Sequence, residues 1–207
     1  MYWTEFLTIA LAHLFAVASP GPDFAIVVRQ SVASGTRTGI WTSAGVGCGI
    51  LVHVAYCILG VAILLTQSDG LFSAMKYLAA AYLAYLGVQS LRAKPHSETE
   101  LYLEDAPALA PRQAFLRGFL TNGLNPKATL FFLALFTVVI NSNTPAFIQV
   151  LYGGYLALAT FAWFAMLSSI LGRVEVRRFM LRSGVWFERC MGVLLLLLAV
   201  QITLSNQ

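Results

Sequence analysis

The sequence predicts an all-α membrane protein of six transmembrane helices, arranged as two inverted three-helix repeats with broken first helices in spans 1 and 4. Three observations carry this reading. The chain is 58% hydrophobic and only 11% charged, with a mean hydropathy of +0.75, whereas soluble domains run at about 25% charged. Six stretches, about 5–28, 40–66, 71–92, 114–140, 146–171 and 185–205, reach the roughly 20 apolar residues that a span needs. Two of these stretches are interrupted at matching places, the first by SPGPD (19–23) and the fourth by LNPKA (124–128).

Each element has its own signal. Span 1 opens on FLTIALAHLFAVA (6–18); Ala16-Val17-Ala18 resembles a cleavage site, but no Lys or Arg precedes Arg29, so no signal peptide is expected. Span 2 holds a GxxxG, Gly45 and Gly49, with Gly47 between them, which indicates close helix packing. Span 3 ends in LGVQSL (86–91) and span 6 in the similar LAVQITL (198–204), a rhyme between the third helices of the two halves. Span 5 carries Tyr152, Tyr155 and Trp163, read as packing or interface anchors. The whole chain, 1–207, is one domain: a first repeat of about 1–92, a polar connecting segment at 93–113, and a second repeat of about 114–207. Cys48, Cys57 and Cys190 lie inside apolar spans in odd number, so they read as packing residues.

Basic residues set the expected orientation. Cytoplasmic loops collect Lys and Arg, and 11 of the 13 here fall in or beside segments 1–2, 3–4 and 5–6. Both termini are therefore expected outside the cytoplasm, with the chain a multi-pass protein of a plasma membrane. The net charge of +4 then reads as orientation and contact with anionic lipid rather than nucleic-acid binding.

The two breaks carry the chemistry. Proline removes a backbone donor and clashes with the preceding turn, and freed polar groups are tolerated in lipid only if neighbours or a polar cavity serve them. A new half-helix N-terminus also favours an anionic ligand group. Paired, interrupted helices at corresponding places in two halves point to a transporter's binding site. Pro20, Gly21 and Pro22 make the first break, with Asp23 in the turn after it. Asn122, Asn125 and Pro126 frame the second, with Lys127 in the turn after it. An intramembrane charge costs about 2.5–3.5 kcal/mol on insertion scales, so Asp23 and Lys127 mark either a static ion pair or a carrier pair in which protonation of Asp23 frees Lys127. His53 on span 2 and His13 on span 1 are weaker candidates, each readable as hydrogen-bonded packing.

Other classes are excluded by what the sequence lacks. It has no GxxxxGK[ST] loop for ATP, no clustered metal ligands and no hydrolytic pair, so no enzyme, cofactor or metal is expected. Secondary transport remains. At SPGPDFAIVVRQSVASGTRTGI (19–40) and GFLTNGLNPKATLFFLALF (118–136), the chain resembles the two signature regions of the LysE/RhtB amino-acid exporters, and most of all their threonine and homoserine efflux branch. The resemblance runs over all six spans. It implies amino-acid efflux across a bacterial inner membrane, with proton exchange as the drive, and Pro20, Gly21, Pro22, Asp23, Asn125, Pro126 and Lys127 match its motifs. His53 lies outside them. Because Asp23 and Lys127 roughly cancel, a small zwitterion fits better than a cation: its carboxylate toward Lys127 and its ammonium toward Asp23. A non-coupled channel and a metal-ion exporter of the same superfamily stay open as alternatives, as does a homodimer.

Overall fold

The computed structural model describes residues 2–67, 69–93, 107–141, 143–171 and 174–204. All regular structure among them is helical: α1 (Tyr2–Ala18), α2 (Pro22–Ala33), α3 (Thr36–Gln67), α4 (Asp69–Leu91), α5 (Pro111–Gly123), α6 (Pro126–Ala134), α7 (Ala146–Ile170) and α8 (Val174–Leu204). A π-helical turn, Leu135–Val139, continues α6. Most of the expected connecting segment 93–113, with Lys94, lies outside the described residues.

Among the described residues, three helices are long and apolar enough to cross a membrane, over Thr36–Gly60, Ala146–Ile170 and Ser183–Gln201, and the bent pair α1–α2, taken as one span, makes a fourth. These correspond to expected spans 2, 5, 6 and 1. The expected span 71–92 coincides with α4, and the expected span 114–140 with α5–α6, the second of which does not meet the same test among the described residues. For the second the cause is chemical. Helix α5 packs Arg112, Gln113, Arg117 and Asn122 into 13 residues, and the apolar remainder, Pro126–Thr137, is short.

Proline starts three of the helices, α2, α5 and α6. That first position needs no N–H partner, so the residue that breaks one helix opens the next. At the first break α1 ends with Ser19 N–H on the Phe15 carbonyl (3.1 Å), and α2 leaves at 54° to it. Gly21 is fully extended there (φ −176°), a conformation open to any residue. Gly35, between α2 and α3, is different: its φ of +88° closes the turn in the left-handed region that glycine favours.

Small residues let the helices touch. Helices α3 and α5 run parallel with backbones in contact, since a Cβ on Gly45 would meet the Phe115 carbonyl and one on Gly118 the Thr42 carbonyl. Helices α3 and α7 are antiparallel, with Gly47 on Ala157 and Gly153 on Val54. Helices α4 and α8 meet at Gly87 and Gly192, each against the other's carbonyl. The packing expected of Gly45 and Gly49 is thus present. Lipid offers no hydrophobic drive between helices, so this close approach supplies van der Waals contact in its place. Buried hydroxyls stay paired by turning back on their own helices: Thr42 donates to the Thr38 carbonyl (2.9 Å) and Ser43 to that of Gly39 (2.8 Å).

These helix directions gather Arg29, Arg37, Arg92, Arg112 and Arg117 toward one end of the bundle, all exposed. The opposite end is tied together by Glu5, which is buried at the start of α1. It accepts from the Thr144 hydroxyl (3.0 Å), the Tyr152 hydroxyl (3.3 Å) and the Asn141 N–H (3.3 Å).

Candidate functional site

The two breaks face one another, and each is held by polar groups from the other. Asn122, in the last turn of α5, donates its amide to Asp23 Oδ2 (2.9 Å), and Asn125 adds a second bond to the same oxygen (3.2 Å). In the other direction Lys127 Nζ donates to Ser19 Oγ (2.9 Å) and to the Pro20 carbonyl (3.2 Å). Asn125 also caps α6, its Oδ1 accepting from the Lys127 N–H (3.0 Å). One asparagine therefore shapes the second break and grips the first.

Asp23 and Lys127 share the site but form no ion pair with each other; the described contacts give each its own neutral partners. Two acceptors are left over. Asp23 Oδ1 and Asn122 Oδ1 are both buried and without a partner. An unserved buried acceptor is unfavourable by about 1–3 kcal/mol, more when charged, so both oxygens have capacity to accept a further hydrogen bond.

Between the breaks lies a cavity of ≈ 60 Å³, room for several waters at roughly 10–15 Å³ each. Its polar lining is Ser19, Asp23, Asn122, Asn125, Lys127, His13 and Thr160, and Phe24, Phe131, Phe132 and Phe164 are among its apolar walls. His13 Nε2 is hydrogen-bonded to Thr160 Oγ1 at 2.8 Å, both buried. The cavity sits where the two apolar clusters of the molecule meet, with Ile50 and Phe132 from one and Phe24 and Phe164 from the other. A model of the LysE type translocators matches residues 14–206.

The chain belongs to the LysE type translocator family. Among curated proteins it is 28% identical over 208 residues to the threonine efflux protein of Salmonella typhi, covering 97% of this chain and 98% of that one. To the threonine efflux protein of Escherichia coli (strain K12) it is 27% identical over 202 residues, with the same coverage. It is also 30% identical over 198 residues to the uncharacterized membrane protein YahN of that strain, covering 95% of this chain and 87% of that one. No solved structure matches it.

In this translocator the sequence candidates do not all share one place. Gly21, Asp23, Asn122, Asn125 and Lys127 line the cavity. Pro22 and Pro126 begin the helices behind it, and Pro20 packs toward Gly184 of α8. His53 stands outside the lining: its Nε2 meets the Asn122 carbonyl (2.9 Å), its Nδ1 the Tyr56 hydroxyl (2.7 Å), and its ring stacks on Phe132. It therefore props the peptide of Asn122. Sequence reasoning passed over Ser19 and Thr160. Ser19 opens the same SPGPD stretch, but a single hydroxyl beside a proline gave no sign that it faces an ammonium.

Proposed function

We propose that this translocator is a secondary exporter of small zwitterionic amino acids such as threonine or homoserine, driven by proton exchange. The observation that carries the reading is the facing of the two helix breaks across one cavity, with an acid on one and a lysine on the other. The threonine efflux proteins it resembles over nearly their whole length support the same class of cargo.

The chemistry follows from unused bonding capacity. The Lys127 ammonium has three donors and spends two on Ser19 and Pro20, so one remains for a substrate carboxylate. Asp23 Oδ1 is unserved, and either a substrate ammonium or a proton would serve it. Those two donors exclude each other. Competition for one oxygen is what makes exchange obligatory: cargo leaves as a proton arrives. His13 and Thr160 would wall the side-chain end of the ligand, and His53 would hold Asn122 in position. No cofactor or metal takes part in this scheme.

The same reading assigns six membrane-crossing segments in two inverted halves, with α4 and α5–α6 completing the set. Elements that would correspond in the two halves pack on one another, break on break, α3 on α7 and α4 on α8, which supports a twofold in the membrane plane. The arginine-rich end then faces the cytoplasm of a bacterial inner membrane, with both termini on the far side.

Sealed vesicles containing the purified protein test this. Threonine or homoserine added on one side should move protons the opposite way, detected with an internal pH dye. Amino-acid flux without proton movement would leave a facilitator instead, and protection of cells against a metal salt alone would make it a metal exporter.

A further inference from the structure

A second recess, of ≈ 700 Å³, lies against the first cavity at the arginine-bearing end. The end of α4 forms one wall, with Tyr85, Gln89 and Arg92, and Glu188 of α8 stands in the same recess. Gly21 and the Lys127 side chain belong to the linings of both spaces. They therefore stand between the two spaces. Glu188 and the Lys127 side chain thus bound one and the same space. Yet neither Glu188 nor the Arg92 side chain has a hydrogen-bond or ion-pair partner among the described residues. The recess thus holds an unengaged anion and an unengaged cation, with a second cation at its floor.

We propose that this recess is an access subsite for the zwitterion, Glu188 taking the ammonium and Arg92 the carboxylate before the ligand passes Lys127. The proposal rests on the exporter reading above and adds to it where the cargo first binds. A volume of this size is in the range of small-molecule sites. A phosphatidylethanolamine headgroup carries the same two charges, so the shared chemistry is an ammonium and an anionic oxygen group within one small molecule or headgroup.

The test is initial-rate transport of threonine by purified protein in phosphatidylglycerol vesicles, with and without phosphatidylethanolamine. Glu188→Gln and Arg92→Gln should each raise the half-saturating concentration about tenfold, the equivalent of one charge-assisted contact, while the maximal rate stays within about twofold. Glu188→Asp should recover most of the loss. Threonine methyl ester, which has no carboxylate, should inhibit the wild type and Arg92→Gln equally well. A lower maximal rate with unchanged half-saturation would overturn the subsite, since it indicates a structural role. An effect seen only when phosphatidylethanolamine is present would overturn it too, because the occupant is then lipid. Failure of the wild type to move any amino acid is a different result, visible before any variant is made, and overturns the exporter reading together with the subsite.

Discussion

Asp23 keeps one oxygen bound by two amides and leaves the other bare, and this asymmetry makes single substitutions informative. Asp23→Asn should abolish proton-coupled efflux while the protein still inserts, measured as dye response in vesicles against the amount of purified protein. Asn122→Ala removes the shorter of the two grips and should slow efflux at least about tenfold, the usual worth of a hydrogen bond to a charged group. Two glycines provide a steric contrast. At Gly21 a Cβ would find its nearest neighbour, Lys127 Nζ, at 3.8 Å, so Gly21→Ala should leave thermal stability unchanged. At Gly49 the Cβ would lie 2.6 Å from Asn122 Oδ1 and 2.9 Å from its Cβ, so Gly49→Ala should lower stability by about 1–3 kcal/mol. Equal melting of the two variants would contradict this account. At this scale the charged residues were legible because a carboxylate or ammonium inside an apolar run has few places to go. Ser19 and Thr160 were not, since hydroxyls in such helices commonly bond their own backbone, as Ser31 and Ser168 do here. Nothing in the local sequence distinguishes a hydroxyl turned to its helix from one turned to a lysine 108 positions away.

At the scale of elements, the breaks are positions where a helix is stopped so that its neighbour can be gripped. Replacing Pro20, Gly21 and Pro22 together with Ala should let α1 run on into α2, restoring helical hydrogen bonds and removing the Pro20 carbonyl from Lys127. The expected variant inserts, keeps or gains thermal stability, and exports nothing. Normal export by an inserted all-alanine variant would reduce the break to a tolerated kink. Both breaks were legible, because proline acts through its own covalent geometry and needs no tertiary context. The Gly45 and Gly49 contact was legible for a similar reason, as only a missing side chain permits backbone contact. Helix α5 carries a weaker signal. Length and polarity are averages over a window, and Arg112, Arg117 and Asn122 pull α5 below the level of a self-evident span. The π-helical turn at Leu135–Val139 had no signal at all, since LFTVV is as apolar and as helical as its flanks.

For the molecule as a whole, orientation is the first thing to measure. In a background without Cys48, Cys57 and Cys190, a membrane-impermeant thiol reagent applied to intact cells should label Asn143→Cys and spare Gln113→Cys, both exposed positions. The reverse pattern would turn the exporter around and place the arginine-bearing end outside. The reciprocal grip of the breaks has a further consequence, and it concerns the order in which the protein is made. The ribosome delivers the first break and α2 to the membrane while Asn122, Asn125 and Lys127 are still untranslated. During that interval the Asp23 carboxylate and the Pro20 carbonyl lack every partner described above for them. The early half is therefore a client for whatever shelters polar groups in the bilayer, and its quality control is the arrival of the late half. Residues 1–93 produced alone should be degraded rapidly, and simultaneous synthesis of 107–207 as a separate chain should extend their lifetime in a pulse-chase experiment. The late half should rescue far less well when it carries Asn122→Ala and Lys127→Ala, because what stabilises the newborn break is the partner that later shares its work.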